Sequence, residues 1–292
     1  MPDDIEYKVQ MSASKQPAFH DPPSCPFYEY PLGDLSPYGS EAVPLLDSLI
    51  GAHGKEKCIK LHTTTTDAGT FDGPRFNNAS AAAYAAYKGR LNSVMKKFTA
   101  NVQAGKGYPD AAVEDDQAHG MVKIPLIVAR FAGQPQLEGH VRAAVATHQR
   151  TSNLVANLTV ATAKLLEFVV LGHGGVRDAL RWGLGGGPGP GALDPASAEL
   201  LQAVVDAQDA AFVDAVGTFG RNCHLPGNWQ AAMHCMLTAS GYQQAVEGNI
   251  LAGAHVVVVV WCCACGTSSA TMLCCRRRQL QPGTSHRCIL CC

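Results

Sequence analysis

Apolar residues in this 292-residue chain return every three to four positions and almost nowhere every second one. In "SNLVANLTVATAKLLEFVVLG" they stand at Leu154, Leu158, Leu165 and Val169, one stripe of an α-helix. "QPQLEGHVRAAVATHQ" does the same with Leu137, Val141, Val145 and His148, and the short "RTS" between the two predicts antiparallel neighbours. "PASAELLQAVVDAQDAAFVDAVGTFG" repeats the pattern through Leu200, Leu201, Val204, Val205, Phe212, Val213 and Val216. The Ala-rich run 77–105 ends at Gly105 and reads as one long helix. Ser40 is the expected cap of a short helix with Pro44 in its first turn. Residues 228–253 give two more helices around the turn "TASG". With almost no alternating strand pattern, the expected fold class is all-α, a single compact multi-helix domain.

Composition supports a packed core. Hydrophobic residues make up 47% and charged residues 16%, a globular balance rather than a disordered one. The formal net charge of -1, with no long basic stripe, argues against nucleic acid as a partner. The polar start "MPDDIEYKVQ" has no apolar signal region, so a cytoplasmic location is expected. A monomer is the expected state. Of 12 cysteines, eight lie between Cys262 and Cys292, while Cys25, Cys58, Cys223 and Cys235 are scattered and read as reduced.

The chain divides into an irregular arm (1–24), a helical domain (25–254) with a Gly/Pro loop at 183–191, and a Cys-rich tail (255–292) foreign to the domain. From Ile250 to Cys275 there is no Asp, Glu, Lys or Arg, and Arg276 to Arg278 follow. That suits a membrane tail anchor. The closing Cys291-Cys292 also resembles the end of some prenylated small GTPases. The abrupt change of composition after Ala254 ranks a shifted reading frame or a read intron ahead of either, and a membrane is not the expected partner.

Several motifs admit two readings. Glu114, Asp115, Asp116 and Gln117 supply oxygen ligands for a hard cation, or simply cap the helix that follows; the second is favoured. Cys223, His224, His234 and Cys235 carry zinc-ligand chemistry, but each pair is adjacent, and neighbouring side chains on a helix diverge. His140 and His148 fall two turns apart on one predicted helix, where a satisfied core histidine is the default. "GHGGVRD" (172–178) lacks the Lys-Ser/Thr of a phosphate loop.

Three blocks in order carry a resemblance: "CPFYEYPLGDLSPYGSEAVPLLDSL" (25–49), "VQAGKGYPDAAVEDDQAHGMVKIPLIVARFAGQPQLEGHVRAAVATHQ" (102–149) and "NCHLPGNWQAAMHCMLTASGYQQAVEGNILAGA" (222–254). As a set they resemble the ADP-ribosylglycohydrolase family, in particular its crystallin J1-like branch, with Lys123 at the basic place of the middle block. The resemblance implies a mainly helical fold in which acids from distant segments meet around two Mg²⁺ ions and an ADP-ribosyl linkage is hydrolysed. It points to Glu41, Asp115 and Asp116 as metal ligands, and to Tyr38, Ser40 and Gln117 facing an ADP-ribose substrate.

This chain also departs from the family. Where a Gly-Gly-Asp-x-Asp-type sequence is expected, "LAGA" is followed by His255 and five valines, and "PYGSEA" stands where Thr-Asp-Asp-Thr would. The resemblance begins downstream of the family's Gly-rich first helix. Valine offers no lone pair to Mg²⁺. The expectation is an incomplete two-metal site and doubtful activity. The alternative is a non-catalytic crystallin J1-like protein, structural or nucleotide-binding.

Overall fold

A computed structural model describes residues 37–51, 71–89, 91–185, 192–219, 225–241 and 244. The arm 1–24, the pair Cys223 and His224, the helix expected after "TASG" and the tail 255–292 lie outside them.

Helices account for nearly all of the regular structure, as the period required. In chain order they are α1 (Pro37–Gly51), α2 (Gly73–Ala86), α3 (Ser93–Gln103), a 3₁₀ segment η1 (Ala118–Lys123), α4 (Ile124–Phe131), α5 (Leu137–Ala146), α6 (Asn153–Val170), α7 (Val176–Gly185), α8 (Pro195–Asp206), α9 (Phe212–Phe219) and α10 (Leu225–Thr238). A two-residue parallel ladder pairs β1 (Val113–Glu114) with β2 (Gln149–Arg150). The fold is all-α, as expected.

Local chemistry fixes the helix starts. Asp72, Asn92, Ser152 and Asp194 each accept a backbone N–H from the first turn of α2, α3, α6 and α8. A side-chain oxygen there satisfies one of the helix's four orphan donors. At the far end of α4 the chain leaves through Gly133 at φ 81°, whose N–H donates to Glu167 Oε1 at 2.7 Å. Only glycine takes that backbone conformation without strain.

Several boundaries differ from the sequence reading. The expected long helix over 77–105 is two helices, α2 and α3, because Asn92 caps a fresh start after Gly89. Ser40 is not a cap: α1 begins at Pro37, and Pro44 lies inside it. The acids before the Met121–Phe131 run do not open an α-helix, since a turn and η1 intervene. His148 lies just beyond α5 rather than on it. Gly183 to Gly185 end α7 instead of opening a loop. A Cβ on Gly183 would meet Leu201 Cδ2 at 2.8 Å, so glycine lets α7 approach α8.

The main core is built from Leu45, Phe76, Ile127, Leu158, Leu165 and Trp229 with their neighbours. A smaller core holds Tyr84, Val94, Met95, Phe98, Ala111 and Val113. α10 is buried along most of its length and is pinned by side chains. Trp229 Nε1 donates to Thr162 Oγ1 at 2.8 Å, Gln230 Nε2 donates to Leu200 O at 3.1 Å, and Arg177 Nε donates to Leu237 O at 2.8 Å. Among the described residues, α6 is the helix long and apolar enough to cross a membrane, and 61% of its apolar window is buried inside the fold.

Candidate functional site

The seam between the two cores is polar. Glu41 lies on α1 one turn before Leu45, so both project from the same face, and both are buried at 1% exposure. Burying a carboxylate without partners is prohibitively costly. Glu41 has four. Tyr84, from α2, donates its hydroxyl to Oε2 at 2.5 Å. His119 Nε2, from η1, lies 2.8 Å from the same oxygen. Lys123 Nζ lies 2.7 Å from Oε1, and His148 Nδ1 lies 3.1 Å from it.

Each partner is held in place by its own neighbours. His119 and Lys123 are four residues apart, and the Lys123 ammonium also donates to His119 O at 3.4 Å. Asn92 Nδ2 approaches His119 Nδ1 at 3.4 Å. That contact makes Nδ1 the acceptor and leaves the proton on Nε2, facing Glu41. His148 is ringed by Phe98, Phe76, His119 and Tyr84, with centroids 4.4, 5.1, 5.5 and 5.7 Å away. The short ladder fixes it from behind, since Val113 N–H donates to His148 O at 2.9 Å. His148 Nδ1 is close to Glu41 without being aligned for a hydrogen bond, and among the described residues its Nε2 has no hydrogen-bond partner.

The charge states follow. Burial opposes ionisation of Glu41, but His119, Lys123 and His148 outweigh it and hold the carboxyl well below its ordinary range. Burial pushes His148 down to about 3 against the pull of Glu41. It also lowers His119, although Glu41 and Asp115 pull the other way. Lys123 is lowered by burial and partly restored by Glu41. At neutral pH both imidazoles, lowered from 6.5, are neutral, and the 2.7 Å approach of Lys123 Nζ to Glu41 Oε1 is that of an ammonium paired with a carboxylate.

The residues singled out in the sequence are placed as follows. Glu41 is at the centre. Ser40 is half-buried beside it on α1, and Tyr38 belongs to the same helix, its side chain outside the described residues. Asp115 Oδ1 accepts from Gln117 N at 2.8 Å and from Gln149 Nε2 at 3.0 Å, bracing the turn into η1. Asp116 Oδ1 accepts from Ser152 N at 2.6 Å, at the start of α6. Asp116 and Gln117 are exposed. Among the described residues, the acids and imidazoles whose ligand atoms lie within 4.8 Å of one another are Glu41, His119 and His148. His234 Nε2 donates to Ala207 O at 2.9 Å, and Cys235 is a buried thiol outside any disulfide among the described residues.

Magnesium does not fit this centre. It requires a near-octahedral shell of oxygens, whereas Glu41 meets two imidazoles, a phenol and an ammonium. Lys123 already supplies the positive charge that a metal would bring.

Sequence reasoning missed His119 and His148 as site residues. His148 was legible only as the polar member of an apolar stripe. His119 had one weak signal, its place four residues before Lys123 in "AHGMVK".

Fold and site define an all-α protein with a sealed carboxylate–ammonium–imidazole centre. No protein-family model matches the chain. It is similar to crystallin J1A of Tripedalia cystophora, at 28% identity over 241 residues, which is 82% of this chain and 71% of that protein. The relationship is distant and crystallin J1-like.

Proposed function

We propose that this chain is a crystallin J1-like protein acting as a stable, non-hydrolytic body, with the Glu41 centre serving structure rather than catalysis. One observation carries the reading: the Lys123 ammonium sits 2.7 Å from Glu41 Oε1, with both side chains 1% exposed. A buried ammonium in that place repels a dication and neutralises the carboxylate that would bind one. The location proposed is the cytoplasm, and the state proposed is a monomer. Metal-independent affinity for ADP-ribose, without turnover, would fit this reading as a nucleotide-binding variant of it.

The competing reading is hydrolysis of an ADP-ribosyl linkage with Mg²⁺ at Glu41, Asp115 and Asp116, the substrate facing Tyr38, Ser40 and Gln117. Its support is that Asp115 braces the turn into η1, the segment that brings His119 and Lys123 to Glu41. Against it stands the poor fit of Mg²⁺ to the nitrogen-rich surroundings of Glu41.

One experiment separates them. The purified full chain is incubated with ADP-ribosylated protein, with and without Mg²⁺, and free ADP-ribose is measured. Calorimetry with ADP-ribose runs alongside. No release is expected in either condition. Release that depends on Mg²⁺ would overturn the non-hydrolytic reading.

A further inference from the structure

We infer that Glu41, His119 and His148 form a latent transition-metal triad, which Lys123 and Asn92 keep free of metal in the native chain. The inference rests on the reading of the centre as non-hydrolytic and cation-filled, and it names what the centre would accept if that cation were removed.

The donor set carries the first part. Two imidazoles and one carboxylate are the ligands that zinc, cobalt and non-haem iron take, with further positions left open. Their ligand atoms all lie within 4.8 Å of one another. Glu41 stands 2.8 Å from His119 Nε2 and 3.1 Å from His148 Nδ1, close to the separation of about 3.3 Å between ligand atoms around a tetrahedral zinc. His148 supplies an independent sign. It is fully buried, its ring points a nitrogen at the carboxylate, and among the described residues neither nitrogen makes an aligned hydrogen bond. Buried polar atoms left in that condition are rare in folded proteins.

Two residues would oppose a metal at this triad. Lys123 places an ammonium on Glu41 Oε1, so a dication would enter beside a positive charge whose side chain is 1% exposed. Asn92 acts on the imidazole. Its Oδ1 accepts from Met95 N at 2.8 Å, which turns Nδ2 toward His119 Nδ1. The His119 proton is thereby held on Nε2, the nitrogen that would have to present its lone pair to a metal. Metal-binding histidines ordinarily donate from the other nitrogen to a carboxylate or carbonyl. An aspartate at position 92 would accept that proton and would still cap α3.

The test is a Co²⁺ titration of the full chain, followed by the visible d–d absorption of the bound ion. Four proteins are compared: native, K123A, K123A with N92D, and K123A with E41Q. Thiolates elsewhere in the chain, including the eight cysteines between 262 and 292, contribute equally to all four. The E41Q/K123A protein carries that background. Native protein should match it, and K123A should add one equivalent of Co²⁺ above it. Adding N92D should tighten that site by about tenfold to hundredfold, the usual effect of an outer-shell partner. If K123A does not fold alone, recovery of its helical circular dichroism on one equivalent of Co²⁺ reads the same site. A Glu41-dependent band in native protein would overturn the inference. So would the lack of both band and recovery in K123A/N92D. ADP-ribosyl release is measured on native protein alone, so the two readings fail separately.

Discussion

Lys123 Nζ and Glu41 Oε1 lie 2.7 Å apart, and each side chain is 1% exposed. The pair joins η1 to α1, two segments about eighty residues apart in sequence, and it does so where the main and smaller cores meet. An ion pair so enclosed has paid a large desolvation cost for each charge and depends on both being present.

Removing one partner alone should therefore be severe. E41L or K123M should each lower unfolding free energy by about 3–5 kcal/mol, because the other charge is left buried without its counterpart. The double variant E41L/K123M should recover most of that loss, since apolar replacement of a whole buried pair is often neutral. Urea unfolding of all four proteins completes the cycle. Additive losses in the double variant would show that the two residues are not coupled.

Acid should destabilise the protein early. His148 titrates near 6.5 when unfolded and at about 3 when folded, so between these values only the unfolded chain takes up the proton. Stability from this group is complete above about pH 6.5 and is lost as pH falls through that window, at up to about 1.4 kcal/mol per pH unit. His119 is shifted in the same direction. Glu41, lowered from 4.5, adds a further loss below that value. Urea midpoints at pH 7.5, 6.0 and 5.0 should fall in order. In H148F, whose ring suits the cage of Phe76, Phe98 and Tyr84, the slope should drop by about one proton. An unchanged slope would contradict the assignment.

Trp229 anchors α10 through one buried hydrogen bond to Thr162, which in turn donates to Leu158 O at 2.8 Å. W229F keeps a large ring but removes the N–H donor. The expected cost is about 1–3 kcal/mol, read from the thermal midpoint. W229A opens a cavity in the core as well and should cost about 3–5 kcal/mol.

Asp115 and Asp116 differ in what their removal should do. D115A loses the bonds from Gln117 N and Gln149 Nε2 and should cost about 1–2 kcal/mol. D116A removes one acceptor at an exposed helix start and should cost about 1 kcal/mol or less. Neither should change the heat of mixing with Mg²⁺. Loss of a Mg²⁺ signal in either variant would favour the hydrolytic reading instead.

The sequence by itself determined the class of fold. A stripe such as Leu154, Leu158 and Leu165 is a local property of the chain, and Asp72, Asn92 and Asp194 set helix starts through bonds that reach only three residues ahead. Its resemblance to a known family also picked out Glu41 together with Asp115 and Asp116, and Lys123 at a basic place. Tertiary structure decided what they do. Nothing in "SEAVPLL" or "AHGMVK" says that the two side chains meet, because their approach depends on how α1, α2 and η1 pack around the smaller core. The same holds for His148, a stripe residue in sequence and the carboxylate's neighbour in space. Its imidazole acquired that role only when the aromatic cage excluded water and left Glu41 as the nearest charge.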